Sequence, residues 1–583
     1  MRQHWNRKMA LCVATVAALS AGAAQAQAQL GDPLYRYQWH LMNYGQSVLA
    51  DTRPTFAIDM GIDDLHDYNI RGKGVIVGVL DRGMEIAHPD IAANMVPNGS
   101  WNFRNNTHDP SPGAGGDAHG MAVGGIIGAV GWNGIGVRGV APSARLKSFN
   151  FLDAGGTSAQ IQYAWWDGAE SKDVAISNNS WGPTQPVVLP TISENELAAW
   201  ENPMSATRGG LGTVYVKAAG NSFNSIPNNS LVFPDLCPAG RPAVGCSQSI
   251  FARESNFFNV ITVAAVNAAG RRSSYSTPGA SMWVSGLGGE YGHQRQYSAA
   301  VNPVNFDPAI VTTDLSGCAN GYNTDVAARR LNALDSSQSA IDNTCNYSGR
   351  MNGTSAAAPT VSGVAALMLQ VNPKLTFRDV KYILATTARQ IDPQQAAVSN
   401  AQGTLLSAGW TVNAAGRPFS NWYGFGLVDA TMAVTRAGGF KTLGPLIDSG
   451  WQRAALAAAQ PAGNVAAPAR ATIRIAGGAA RVEAVQIGFD TNARAGVNFP
   501  LVATNVRIVL ISPSGTRAVI IPPGSVPANL NNQTLSTSLV AANAFLDENG
   551  NGDWTLEVVD TALAAGAAPV ANLSSFKIRV LGH

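Results

Sequence analysis

Val75-Ile76-Val77-Gly78-Val79-Leu80-Asp81 is an unbroken apolar run that ends on an acid. With no polar alternation along it, a strand here must be buried on both faces, as in a parallel sheet. Arg145–Phe151, Val174–Asn178, Thr213–Ala218 and Val260–Val266 are similar runs. Helical patterns lie between them, at His119–Val130, Ser158–Glu170 and Thr360–Gln370. Strand–helix alternation from about Gly74 to Ala437 predicts an α/β domain, a parallel sheet flanked by helices.

Further out the pattern changes. Residues 285–350 are polar and rich in Asn, Ser and Gly, and read as a long loop insertion. Ala454–Ala480 is dominated by Ala, Gly and Pro. Short β runs follow at Thr472–Ile475, Ala480–Phe489, Asn505–Ser512, Arg517–Ile521, Gly552–Val559 and Ser575–Leu581, separated by turn signals such as Ser512-Pro513-Ser514-Gly515. They predict a separate all-β sandwich. The expected division is 27–445 for the first domain and 446–583 for the second.

Of the 583 residues, 13% are charged, about half the usual share, which excludes highly charged disorder and long exposed coiled coils. The formal net charge of +2 supplies no concentrated basic field for nucleic acid. At the N-terminus, Arg2, Arg7 and Lys8 precede an apolar run from Met9 to Leu19 and the small-residue site Ala24-Gln25-Ala26. Residues 1–26 therefore read as a signal peptide, and the mature chain as secreted or periplasmic. No membrane span is expected, because the run is short of about 18–20 apolar residues and Ala356–Val371 is broken by Pro359 and Ser362. Beyond Cys12, four cysteines remain: Cys237, Cys246, Cys318 and Cys345. Of the three possible pairings, Cys237–Cys246 and Cys318–Cys345 are favoured because each closes a local loop.

Four short segments carry chemistry. Asp81 ends the first strand. His119, in Asp117-Ala118-His119-Gly120, opens an apolar helix. Ser355, in Asn352-Gly353-Thr354-Ser355-Ala356-Ala357-Ala358-Pro359, enters another. Asn221 follows a strand in Ala218-Ala219-Gly220-Asn221. A serine hydroxyl is a poor nucleophile until a base takes its proton, and His119 can do that while Asp81 fixes the imidazole. Backbone N–H groups at a helix start and the Asn221 side-chain NH2 can face an oxyanion. Singly, each segment could be a turn or a cap. Four together, each at an element end and in the order Asp, His, Ser, point to acyl transfer. The other histidines, His40, His66, His88, His108, His293 and His583, show no partner pattern.

Val79-Leu80-Asp81-Arg82-Gly83, the segment His119–Gly128, Ala218–Asn221 and Gly353–Gly363 resemble the signatures of the subtilases, serine endopeptidases of the subtilisin fold. Asp32-Pro33-Leu34, Gln38-Trp39-His40-Leu41, Ser180-Trp181-Gly182-Pro183 and Tyr423-Gly424-Phe425-Gly426 resemble the kexin/furin branch, and Ile511–Thr516, Asn551–Leu556 and Asn572–Phe576 its P (Homo B) domain. The resemblance implies peptide-bond hydrolysis in protein or peptide substrates through Asp81, His119 and Ser355, with Asn221 assisting. It implies a substrate cleft lined by Ser180, Trp181 and Gly182. It also implies structural Ca2+, held by Gly131, Asn133, Ile135 and Val137 in Gly131–Val137, with carboxylates from Asp32 and Asp90; such oxygen donors suit that ion. The loop Asp547–Asp553 lacks an EF-hand glutamate and reads mainly as a turn.

The branch prefers paired basic residues, drawn by acidic pockets. Here Arg82, Thr184 and Gln185 stand where the branch carries acids; Asp117 is retained, and Asp235 is a second candidate. A weakened basic preference is expected. The resemblance starts so close to the signal that no pro-domain is expected, which suggests a separate folding chaperone or help from the P domain. The P domain is expected to cover an apolar face of the first domain. The competing reading is a catalytically silent member acting as a binding module through its P domain. An α/β-hydrolase esterase is excluded by the order of the motifs.

Overall fold

The computed structural model describes residues 31–113, 115–182, 189–223, 244–323, 330–401, 403–493, 505–525, 535–569 and 571–583. The proposed signal peptide, Pro183, Thr184, Gln185, Asp235 and Cys237 lie outside them.

Among the described residues, seven strands form one parallel sheet: β1 (Ile76–Asp81), β2 (Trp101–Asn102), β3 (Arg145–Asn150), β4 (Ile176–Asn179), β5 (Val214–Ala218), β6 (Val260–Val266) and β7 (Val284–Leu287). Their spatial order is β2-β3-β1-β4-β5-β6-β7. From β1 the chain moves to one side, through β2 and β3, and then returns to β4 on the other. This reversal between β1 and β4 opens a crevice at their carboxyl ends, where ligands of open α/β sheets bind. The β1 residues Val77 to Asp81 are all buried, as the apolar run requires.

The covering helices include α1 (His119–Gly128), α2 (Glu194–Ala206), α3 (Thr354–Val371), α4 (Phe377–Thr387) and α5 (Ala430–Gly438). Helix α3 is long and apolar enough to cross a membrane, but 89% of it is buried inside the protein, as befits a core helix. It starts six residues before the expected Thr360 and contains Pro359. The predicted helix Ser158–Glu170 instead breaks into an α-helical turn Ser158–Gln162, a wide π turn Tyr163–Asp167 and a 3-10 turn Ala169–Ser171. Trp165 and Trp166 both pack on Trp200, at 5.9 and 5.3 Å between ring centroids. Neighbours on a regular helix diverge by about 100°, so the turn widens to seat both.

The insertion 285–350 is not purely loop. It contains part of β7 and an antiparallel pair, β8 (Ile310–Thr313) and β9 (Tyr347–Met351), with the Cys318–Cys345 disulfide between them. Cys246 is also disulfide-bonded. Thr312 and Thr313 in β8 donate their hydroxyls to the carbonyls of Ala122 and Met121, at 2.8 and 2.9 Å. The insertion thus braces α1, a role its polar composition did not reveal.

The C-terminal domain is two antiparallel sheets. One has the order β10 (Ala469–Ile475), β15 (Gly552–Asp560), β12 (Val506–Ile511), β13 (Arg517–Ile521). In the other, β11 (Val482–Ala493) lies between β16 (Ala571–Gly582) and β14 (Ser536–Ala541). Ile447–Asp448 already pairs with the end of β16. Strict alternation of buried and exposed residues along β10 is the mark of a half-buried strand. Strand β14 was not predicted: Ser-Thr-Ser-Leu-Val-Ala is short and half polar, and its order comes from contact with the first domain. Ser538 there bonds to Ile192 and Pro190, and Leu539 joins the apolar cluster of Trp200 and Phe257.

The junction is therefore not simply an apolar face. Buried Glu201 on α2 accepts from Phe258 N (2.7 Å), Gln486 Nε2 (2.8 Å) and Arg579 Nη1 (2.7 Å). Asn543 donates to Ser281 O and Met282 O, and Asn413 to Ala544 O and Leu546 O. Arg378–Glu483 and Arg417–Asp547 pair across the same boundary. Asp547 thus serves the junction, in keeping with the turn reading of its loop.

Candidate active site

Asp81 closes β1, fully buried. Its Oδ1 accepts from Arg82 N at 2.8 Å and lies 2.7 Å from His119 Nδ1. His119 is the first residue of α1, and its backbone N–H is capped by Asp117 Oδ1 at 2.8 Å. A Cβ at Gly120 would meet the Gly83 carbonyl at 2.3 Å, so only glycine lets the helix start this close to the turn after β1. Burial disfavours the imidazolium, but the charge and hydrogen bond of Asp81, with the charge of Asp117, outweigh it. The His119 pKa is raised above 6.5.

Ser355 is the second residue of α3 and is 8% exposed. Gly353 before the helix has φ 96°, and a Cβ there would press on the Asn221 amide. Asn221 Oδ1 accepts from Thr354 N and Thr354 Oγ1, both at 2.9 Å. Its NH2 end is left without a partner among the described residues, as is the Ser355 N–H. The Ser355 hydroxyl donates to Ser180 O at 3.2 Å rather than to His119. Asp81, Ser180 and Asn221 thus stand at or just beyond the carboxyl ends of neighbouring β1, β4 and β5, and His119 and Ser355 are bonded to the first two.

Several contacts here were not legible in the sequence. Arg82 Nη1 lies 2.7 Å from Asp153 Oδ1 and its Nε 3.3 Å from Asp117 Oδ2, so one guanidinium holds both carboxylates. Tyr322, from the insertion, reaches Asp117 Oδ1 at 3.4 Å. Fully buried Lys217 in β5 donates to Trp181 O at 2.6 Å and sits 3.7 Å above the Trp181 ring. Burial pushes its pKa down to about 8. A lysine inside Val-Tyr-Val-Lys-Ala is a visible signal, but nothing in the sequence says what it supports. Gly182 adjoins this segment and is exposed. Among the other histidines, burial holds His40 and His66 near 3, uncharged at any physiological pH.

The structure gathers the expected calcium ligands, and the side-chain oxygens among them, those of Asp32, Asp90 and Asn133, accept from other partners. Asp32 and Asp90 accept from backbone N–H groups, from Asn133 Nδ2 and from the Arg138 guanidinium. Two carboxylates already satisfied by N–H groups and a guanidinium do not fit Ca2+ as they stand.

Comparison with known proteins agrees with this architecture. The subtilase family profile matches residues 72–405, and the proprotein convertase P-domain profile residues 499–580. The chain is 34% identical to an extracellular serine protease of Aeromonas sobria, over 95% of this chain and 91% of that protein. It is 32% identical to a microbial serine proteinase of Aeromonas salmonicida, over 90% and 84%. The crystal structure of the A. sobria protease superposes with a TM-score of 0.82 at 33% identity, covering 95% of this chain and 96% of that one. The same protease in complex with its chaperone gives 0.81 at 32% identity, covering 95% of both. This chain belongs to the subtilase family: it is a serine-type endopeptidase of the subtilisin fold with a C-terminal P domain.

Proposed function

We propose that this chain is an exported endopeptidase that cleaves peptide bonds with Ser355, with little preference for basic side chains. The observation that carries the mechanism is the 2.7 Å contact between His119 Nδ1 and Asp81 Oδ1, at the sheet's switch point beside the start of α3. That bond leaves His119 Nε2 as the free base. With substrate in the cleft, the Ser355 hydroxyl swings from Ser180 O to His119, gives up its proton and attacks the carbonyl carbon. The developing oxyanion is met by the Ser355 N–H and the Asn221 NH2, both without other partners among the described residues. His119 then protonates the leaving amine, Asp81 stabilising the imidazolium, and a water repeats the sequence to release the acid.

Arg82 supports the weakened basic preference. A substrate lysine or arginine beside Asp117 and Asp153 would meet carboxylates already held by a guanidinium. Export and a separate chaperone are supported by the A. sobria relative, which is extracellular and was solved with a chaperone. A fluorophosphonate probe tests the nucleophile. Wild type is labelled at Ser355; Ser355→Ala is not, and loses about 10⁶-fold in kcat. Labelling elsewhere, or an active Ser355→Ala, overturns the assignment.

A further inference from the structure

We infer that Arg138 is the resident cation of the loop Gly131–Val137, and that this loop does not take calcium. Calcium wants six to eight oxygens converging at about 2.3–2.6 Å. Each carboxylate oxygen here has a protein donor instead. Asp32 Oδ1 accepts from Asn133 N at 3.2 Å, and Asp32 Oδ2 from Trp132 N at 3.0 Å and Arg138 Nε at 2.8 Å. Asp90 Oδ1 accepts from Asn133 Nδ2 at 2.7 Å, and Asp90 Oδ2 from Val137 N at 2.9 Å. Asn133 Oδ1, the expected side-chain ligand, accepts from Ile135 N at 3.0 Å.

Arg138 fills the interior of the loop. Its side chain is 1% exposed. A Cβ at Gly131 would touch Arg138 Cγ at 3.0 Å and Nε at 3.2 Å, so the arginine stem lies directly against the Gly131 backbone. The guanidinium lies over the Tyr35 ring at 4.1 Å and the Trp132 ring at 3.7 Å, and that of Arg71 over Trp132 at 3.5 Å. A divalent ion placed between Asp32 and Asp90 would sit beside one buried guanidinium and near a second, and like charges in a low-dielectric interior repel strongly. The aromatic rings suit a planar guanidinium and offer no ligand to calcium. Because this cation belongs to the chain itself, the loop stays locked whatever the calcium concentration.

The test reads melting temperature, not activity. Purified full-length protein is stripped with a chelator and melted with and without millimolar calcium, as wild type, Arg138→Met, Asp90→Asn and the double variant Asp32→Asn/Arg138→Met. Wild type is expected to melt at the same temperature in both buffers. Arg138→Met is expected to melt several degrees lower without calcium and to recover when calcium is added. Removing both charges is expected to restore stability; a double variant that melts no higher than Arg138→Met, or that fails to fold, overturns the pairing. A calcium-dependent rise of several degrees in wild type that Asp90→Asn abolishes overturns the inference. A rise that Asp90→Asn retains places the ion elsewhere and upholds it.

Discussion

Ser180 and Ser355 exchange hydrogen bonds: Ser180 Oγ donates to Ser355 O at 2.9 Å, and Ser355 Oγ to Ser180 O at 3.2 Å. The first bond exists because of Pro359. In a regular helix the N–H four residues on would take the Ser355 carbonyl, and proline has none. The proline thus frees a carbonyl at the start of α3, and the end of β4 claims it, tying the segment Ser180–Gly182 to the residue beside it. Ser180→Ala leaves that buried carbonyl unsatisfied. It is expected to cost about 1–3 kcal/mol of stability, read by thermal unfolding, and to raise KM as the segment loosens. Unchanged stability would show that the carbonyl finds another donor.

In the proposed mechanism, the raised pKa of His119 sets the acid limb of activity. Cleavage needs the neutral imidazole, so kcat/KM should rise with pH through a value above the roughly 6.5 of free histidine. Asp81→Asn removes the main cause, so the limb should move down while kcat falls by about 10⁴-fold. The linked stability has the opposite direction. The Asp81–His119 attraction stabilises the fold fully below the unfolded pKa of about 6.5 and is lost as pH rises through the folded value. Melting curves across that window should show the loss, and Asp81→Asn should abolish it.

Arg82→Asp removes the cation that holds Asp117 and Asp153 and adds a third acid. On a peptide library, preference for basic residues near the scissile bond should rise by about tenfold or more, equivalent to 1.4 kcal/mol. An unchanged profile would mean that these carboxylates do not face the substrate.

Glu201, held in its own domain by Phe258 N, joins the P domain through Gln486 and Arg579. Glu201→Ala removes one of the two carboxylates paired with Arg579, leaving it Asp448 and Gln486 Oε1, and should destabilise by on the order of 3 kcal/mol. Calorimetry checks this. A fragment ending near Gly444 should be insoluble or inactive; a stable, active one would show that the P domain is dispensable.

How far the residues alone could be read depended on whether their partners were local. The strand Val260–Val266 was legible to the residue, because an apolar run in a buried parallel strand depends only on its own side chains. The bend at Tyr163–Asp167 was not, because it answers to Trp200 on another helix. The β8–β9 pair was hidden in polar sequence, since its threonines serve α1 by hydroxyl bonds rather than by apolar packing. The bond from the Arg138 guanidinium to Asp32 was not legible either, since spacing does not reveal which way a side chain turns.

By itself the sequence determined the elements and the reactive groups: buried strands from continuous apolar runs, an acid, an imidazole and a hydroxyl each at an element end, and a second, β-rich domain. Tertiary structure alone decided what those groups face. Arg82 bridges two carboxylates, Arg138 enters the loop, Pro359 frees a carbonyl for Ser180, and Glu201 meets Arg579 from another domain. Periodicity and propensity act over a few neighbouring residues, whereas charge, hydrogen bonding and close packing act over a few ångströms between segments that can be hundreds of residues apart.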